Sequence, residues 1–393
     1  MSQPRPNILL LSGYHAASHR YWCEQLVGGL TEFNWTLITL PDRHFYWRIR
    51  SNALSFTYQY PKLNSQNFDL LVATSMVDVC NLRGLLPHLS RVPAVLYFHE
   101  NQFAYPERNS GQPERKQNNN LINAQLTTVY SALAADKLVF NSEHNRDTFF
   151  SGARALFEKM PDGTPKDLLD HLPDQSQVIP VPVSGDLSER SNTNDKATHK
   201  KLRSRPVEIV WNHRWEYDKQ PQVFFAVINK LIEDGYELIV HVMGQSFREV
   251  PTCFTDFRND NNEVVATWGH QPVDVYRQVL ERSDIVVSAA LHDFQGLGML
   301  EAIAAGCIPV APDRMAYPEY IPEELLYLPG SVEDQEKEDE QREIQEVLAL
   351  HRKLVQVIEG KFKDNVLKDI DIKRYTCSEV LPAYRRFFTD LMA

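Results

Sequence analysis

Short, unbroken apolar runs recur along the first half of the chain. They are NILLLSG (7–13), WTLITLP, FDLLVATS, AVLYFHE, KLVFNS and VIPVPV. Such runs suit strands buried on both faces of a parallel sheet. Helical patterns lie between several of them, as in SHRYWCEQLVGGL, which can form a helix from Ser18. The segment 184–206 is polar, lacks hydrophobic periodicity and reads as a flexible linker. The rhythm then restarts with VEIVWNH, ELIVHVMG, VVATWGH, IVVSAA and IPVAP, with helices expected near 220–234, 273–282 and 298–306. The acidic run 333–347 begins a solvated helix, and SEVLPAYRRFFTDLM forms another near the end of the chain. The expected fold is α/β, with two doubly wound Rossmann-like domains facing a cleft. The boundaries read as 1–186 for the first domain, 187–206 for the linker, 207–372 for the second domain and 373–393 for a C-terminal helix.

Size and composition agree with that division. A chain of 393 residues with 43% hydrophobic and 24% charged residues fits two globular domains. No apolar run is long enough to span a bilayer, the amino terminus lacks the features of a signal peptide, and no basic amphipathic membrane-docking helix is evident. The five cysteines are scattered, with no metal-ligand spacing, which suits a reducing cytoplasm. The net charge of −11 is unevenly placed. Residues 1–200 hold 19 basic and 19 acidic side chains, leaving 22 basic against 33 acidic in the remainder. A neutral first half can still carry a local basic patch for nucleic acid.

Two places in the second half carry chemistry. In HDFQGLGMLEAIAAGCIPV (292–310), Gly296 and Gly298 let the backbone come close to a ligand. The helix they open, with Leu297 in its first turn, offers N–H groups and a positive dipole end to a diphosphate. Asp293 falls on the loop at a strand's carboxyl end and Glu301 about a turn into the helix, placed to grip sugar hydroxyls and a ribose diol. A capped helix with a glycine turn is the bland alternative. In WNHRWEYDKQP (211–221), Arg214 and Lys219 suit a diphosphate leaving group on which negative charge grows. Taken alone they also fit plain surface. The string of an acid, Gly-Leu, a second acid eight residues after the first, then Ala-Gly-Cys-Ile-Pro-Val, resembles the signature of retaining GT-B-fold nucleotide-sugar glycosyltransferases. That signature normally begins with Glu rather than Asp293. The resemblance also implies that Gly244 and the TWGH segment (267–270) line a nucleotide pocket.

In the first half, Gly13, with Tyr14 and His15, follows the first strand. His99, Glu100, Asn101 and Gln102 end the strand AVLYF, where they project toward a ligand. His99 serves either acceptor or sugar hydroxyls, or the interior of the domain. RHFYWRIR supplies Arg43, His44, Phe45, Tyr46, Trp47, Arg48 and Arg50, a mixture of rings and guanidinium groups suited to unstacked bases and phosphates. Burial of Phe45 or Trp47 beneath a loop is the competing account. SGYHAASHRYW, TLPDRHFYWRIRSNALSF, YFHENQFAYP, the polar loop before NNNLINAQ, ALAADKLVFNSEHNRDTF and HDFQGLGMLEA together resemble the tRNA-queuosine α-mannosyltransferase family, from about residue 7 to beyond 310. The resemblance implies GDP-mannose as donor and the queuosine base of a tRNA anticodon as acceptor. His15, His99, Glu100, Asn101 and the 43–50 segment would then face RNA, and Gly13 the donor.

The mechanism this implies is retaining transfer. Arg214 and Lys219 hold the diphosphate, Glu301 the ribose, and Asp293 with the 296–298 backbone the mannose and phosphates. The acceptor proton leaves toward the phosphate, so no protein base is required. No metal, no bound cofactor and no protein partner are expected. The rivals are a GT-B enzyme with another acceptor, a non-catalytic RNA-binding protein on the same scaffold, and a nicotinamide dehydrogenase. The last lacks the GxGxxG that should follow its first strand.

Overall fold

A computed structural model describes residues 4–104, 114–160, 167–183, 205–246, 250–329, 339–362, 366, 370 and 372–393. The chain forms two compact units, one comprising residues 1–182 with 378–393 and the other residues 183–377.

Among the described residues the first unit holds a parallel six-stranded sheet. Its strands are β1 (Asn7–Ser12), β2 (Asn34–Thr39), β3 (Leu70–Thr74), β4 (Ala94–Phe98), β5 (Lys137–Phe140) and β6 (Ser176–Val178), in the spatial order β2-β1-β3-β4-β5-β6. Every residue of β3 and β4 is buried, as continuous apolar strands inside a doubly covered sheet must be. The connecting helices are α1 (Ala17–Gly29), α2 (Phe45–Gln59), α3 (Val79–Leu85), α4 (Glu114–Ala134) and α5 (Glu143–Glu158). Asp78 caps α3 by accepting from the Asn81 N–H, and Ser142 caps α5 by accepting from the Asn145 N–H.

Two expectations shift. VIPVPV was expected as a strand, but β6 ends at Val178, because Pro180 and Pro182 lack the N–H that a ladder requires. RHFYWRIR, read as an RNA-facing segment with no element assigned to it, mostly joins a helix, because α2 begins at Phe45, just after His44 in a left-handed turn. The Asn52 amide fastens α2 inward, donating to the Met76 carbonyl at 2.8 Å while its oxygen accepts from the Asp78 N–H at 2.9 Å.

The second unit repeats the scheme with β7 (Val207–Asn212), β8 (Leu238–Met243), β9 (Val265–Gly269), β10 (Ile285–Val287), β11 (Ile308–Pro312) and β12 (Leu326–Tyr327), ordered β12-β11-β10-β7-β8-β9. Its helices are α6 (Pro221–Glu233), α7 (Cys253–Asp260), α8 (Val273–Arg282), α9 (Leu297–Ala304) and α10 (Asp339–Ile358). The last helix, α11 (Cys377–Met392), returns to the first unit. There Tyr384 accepts a 2.9 Å hydrogen bond from the Trp22 indole on α1. Most of the segment read as a linker, 184–204, lies outside the described residues.

Candidate functional site

The residues expected to hold a donor converge at the carboxyl ends of β7 and β10. Lys219 closes a single 3₁₀ turn after β7, and its side chain is 6% exposed. Its ammonium donates to the His292 carbonyl and lies 3.4 Å from both Asp218 Oδ2 and Asp293 Oδ1. Arg214 is half exposed, 2.7 Å from Glu216 and 3.9 Å from Asp218. Two carboxylates and a carbonyl thus surround the buried ammonium in place of water.

Asp293 accepts a 2.7 Å hydrogen bond from the Tyr317 hydroxyl, which is itself 2.7 Å from Ser288 Oγ. Burial alone would raise the Asp293 carboxyl, but Lys219, His213 and Tyr317 outweigh it and hold the group below its usual value. His213 and His292, buried on either side, are each pushed down to about 4, chiefly by burial. The cluster therefore presents lysine and arginine cations, aspartate anions and neutral imidazoles.

Glu301 stands on α9, where the Tyr276 hydroxyl donates to it at 2.7 Å. Burial raises its carboxyl against the opposing pull of Tyr276 and Arg277. The Asn212 amide donates both to Tyr276 at 3.0 Å and to the Gly298 carbonyl at 2.8 Å, tying α8 and α9 to β7. Asn212 and Tyr276 also line a pocket of about 360 Å³ with Met243, Gly244, His270 and Gln271. Glu301 thus lies one side chain from that pocket.

The glycines answer first to the protein's own backbone. Gly244 has φ +150°, and a Cβ there would meet the His213 carbonyl at 1.8 Å. Gly296, at φ +75°, turns the chain into α9, and Leu297 follows as the helix's first residue. Gly298 was expected to admit a ligand, but a Cβ there would sit 2.8 Å from the Asn212 carbonyl, so helix-to-strand packing already demands it. Likewise Gly13, expected to approach the donor, packs against the Met76 carbonyl.

In the first unit His99 is buried at the end of β4 and stacks on His19 of α1, with ring centroids 4.1 Å apart. Trp22 meets His99 edge-on at 5.0 Å and stacks on Tyr97 at 4.2 Å. His15 Nδ1, His19 Nδ1 and His99 Nε2 are buried without a hydrogen-bond partner. Burial drives His19 down to about 3 and His99 well below its ordinary value, so both rings are neutral near pH 7.

Asn101, read as facing RNA, has another task. Its amide donates to the Asn145 carbonyl, Asn145 Oδ1 and Thr148 Oγ1, and its oxygen accepts from the Phe103 and Ala104 N–H groups. That saturates the side chain and fixes the turn. The Glu100 carbonyl accepts from Ser75 Oγ at 3.1 Å. In the 43–50 segment Phe45 turns inward against Tyr14. Arg43, His44, Tyr46, Trp47 and Arg50 are exposed, and Arg48 is half-buried.

Sequence reasoning missed Asp218, His213, Tyr276, Tyr317 and His19. Asp218 and His213 had one signal, their places beside Lys219 and Arg214 in the segment already singled out. The others meet their partners only through the fold.

Two parallel Rossmann-like units with this cluster at the strand ends define the fold class as GT-B, that of nucleotide-sugar glycosyltransferases. Solved structures agree. Sucrose-phosphate synthase from Thermosynechococcus elongatus matches with a TM-score of 0.67 at 12% identity, covering 98% of this chain and 99% of that one. HepE of Anabaena, solved with UDP and glucose, matches at 0.60 and 13%, over 98% and 100%. A glycosyltransferase from Rickettsia africae matches at 0.62 and 14%, over 99% of each. More particularly, residues 7–183 match the family model of the tRNA-queuosine α-mannosyltransferase N-terminal domain. The tRNA-queuosine α-mannosyltransferase of Drosophila melanogaster is 29% identical over all of this chain and 99% of its own length. The family resemblance read from the sequence is borne out. Among the described residues no helix is long and apolar enough to cross a membrane, and no cluster of His, Cys, Asp and Glu could hold a metal ion.

Proposed function

We propose that the chain is a retaining glycosyltransferase that moves mannose from GDP-mannose onto the queuosine base of a tRNA anticodon, in the cytoplasm. The observation that carries the transferase reading is the buried Lys219 ammonium, 3.4 Å from Asp293 and beside the half-exposed Arg214. The pocket at Gly244 and His270 takes the base, and Glu301 the ribose. Arg214 meets the diphosphate first because it is the cation open to solvent. Lys219 already faces two carboxylates, so phosphate binding displaces one of them. Asp293 is the more exposed of the two and is the one released, which frees its carboxylate for the mannose hydroxyls.

The sugar C1–O bond to the phosphate breaks while a C1–O bond to the queuosine hydroxyl forms on the same face. The hydroxyl proton passes to the departing phosphate oxygen. Charge growing on that oxygen is met by Arg214 and Lys219, the kind of interaction worth about 10²–10³ in rate per donor. The queuosine and mannose assignments draw on the Drosophila relative and the first-domain family.

Incubating the chain with radiolabelled GDP-mannose and either queuosine-containing or queuosine-lacking tRNA tests the reading. Label entering the queuosine tRNA alone is expected, with the sugar in the α configuration. Donor turnover without label in either RNA would remove queuosine as acceptor, and absence of any donor turnover would remove the transferase reading.

A further inference from the structure

One helix face of the first domain has no part in the chemistry above. On α2 the positions Ile49, Asn52, Ala53 and Phe56 point inward and are buried. The opposite row is Trp47, Arg50, Leu54 and Tyr58, at the spacing an α-helix brings into one line. A solvated row should be polar, yet Trp47 is 70% exposed, Leu54 51% and Tyr58 73%. Large apolar groups aligned in the open mark a binding surface more often than chance scatter does.

The charge around the row points to a polyanion. Between Asp42 and Asp69 the chain has no acidic residue, but it carries Arg43, Arg48, Arg50 and Lys62 in a protein of net charge −11. Arg50 is held in place, donating to Thr127 Oγ1 at 2.9 Å with Asp78 at 3.7 Å. One turn beyond Thr127 on α4, Tyr130 is half exposed.

Resting on the RNA-acceptor reading, we propose that this row of α2 is a stacking platform for the unpaired bases of an RNA loop. Trp47 and Tyr58 each take a base face, about 16 Å apart along the helix axis. Leu54 fills the apolar space between them, and Arg43 and Arg48 meet phosphates. The platform is therefore a helix row that reaches Tyr58, and Phe45, turned inward, is not part of it. Aromatic faces stack on any base, so the surface selects an unpaired strand over a duplex and leaves the identity of the base to be read elsewhere.

Fluorescence anisotropy of the full chain tests this with two labelled RNAs. One is a hairpin with an unpaired loop carrying guanine where queuosine would stand, and the other a blunt duplex. The hairpin should bind more tightly. Trp47→Ala and Tyr58→Ala should each weaken hairpin binding about tenfold and leave duplex binding unchanged, with Trp47→Phe restoring most of the loss. Arg43→Ala should instead flatten the salt dependence for both RNAs. Hairpin affinity within about twofold of wild type in both alanine variants, or equal losses on hairpin and duplex, would overturn the platform. The two readings fail separately. Hairpin binding through Trp47 and Tyr58 without mannose transfer keeps the platform and removes the queuosine acceptor. Transfer with an unaltered KM for tRNA in both alanine variants does the reverse.

Discussion

The two polar clusters, one in each domain, are built on opposite principles. In the second domain's cluster opposite charges face one another, with Lys219 between Asp218 and Asp293 and Arg214 beside Asp218. In the first domain His15, His19 and His99 each carry a buried ring nitrogen with no partner, and burial keeps the latter two neutral. A paired-charge cluster suits a ligand whose own charge changes during reaction, because cations already in place need no reorganisation. A neutral and under-satisfied cluster suits hydroxyl groups, which gain a hydrogen bond without bringing charge into the interior.

Removing one member of the charged cluster is the strongest way to break this contrast. Lys219→Ala should lower kcat about 10²–10³-fold in single-turnover transfer. It should also cost several kcal/mol of second-domain stability, since Asp218 and Asp293 lose the cation between them. Lys219→Arg, keeping the charge in a bulkier group, should recover much of the stability and less of the rate. Wild-type turnover in the alanine variant would mean that the leaving group is stabilised elsewhere.

Acid should act on both domains through histidine. His19, His213 and His292 have folded values of about 3, about 4 and about 4, against 6.5 in the unfolded chain. Below pH 6.5 the unfolded state binds protons that the folded state refuses, so stability falls with pH until the folded values are reached. At pH 5.5 each costs roughly 1.4 kcal/mol. Urea midpoints at pH 7.5 and 5.5 should therefore differ for both domains, and a midpoint unchanged between them would show these rings to be protonated in the folded chain.

How much of this was legible in the sequence followed from burial. Runs such as FDLLVATS and AVLYFHE read correctly because a strand covered on both faces must be continuously apolar. The start of α2 did not, because His44 enters it in a left-handed turn without a side-chain cap and its exposed row is aromatic rather than polar. The eight-residue spacing of Asp293 and Glu301 was visible, since both lie around one strand-to-helix connection. Asp218 was passed over because an acid beside a lysine looks like ordinary surface, and only the fold shows that it is 1% exposed. His19 and His99 come from a helix and a strand far apart in sequence, and no local pattern announces a stacked pair.

The smallest effect worth measuring concerns what holds the neutral cluster in shape. Trp22, which meets His99 edge-on, donates its indole N–H to the Tyr384 hydroxyl on α11. That hydroxyl in turn donates to the Ile179 carbonyl at 3.2 Å, an acceptor also reached by Tyr97 at 3.1 Å. Tyr384→Phe keeps the ring and removes the oxygen. The Ile179 carbonyl retains Tyr97, so the loss falls on the indole N–H, left buried without an acceptor at a cost of about 1–3 kcal/mol. First-domain unfolding should move to lower urea by that amount, while the second domain, whose charged cluster contains none of these residues, should keep its midpoint. If both transitions moved together, the clusters would be coupled through α11, and the division into a charge-built site and a packing-built site would no longer hold for stability.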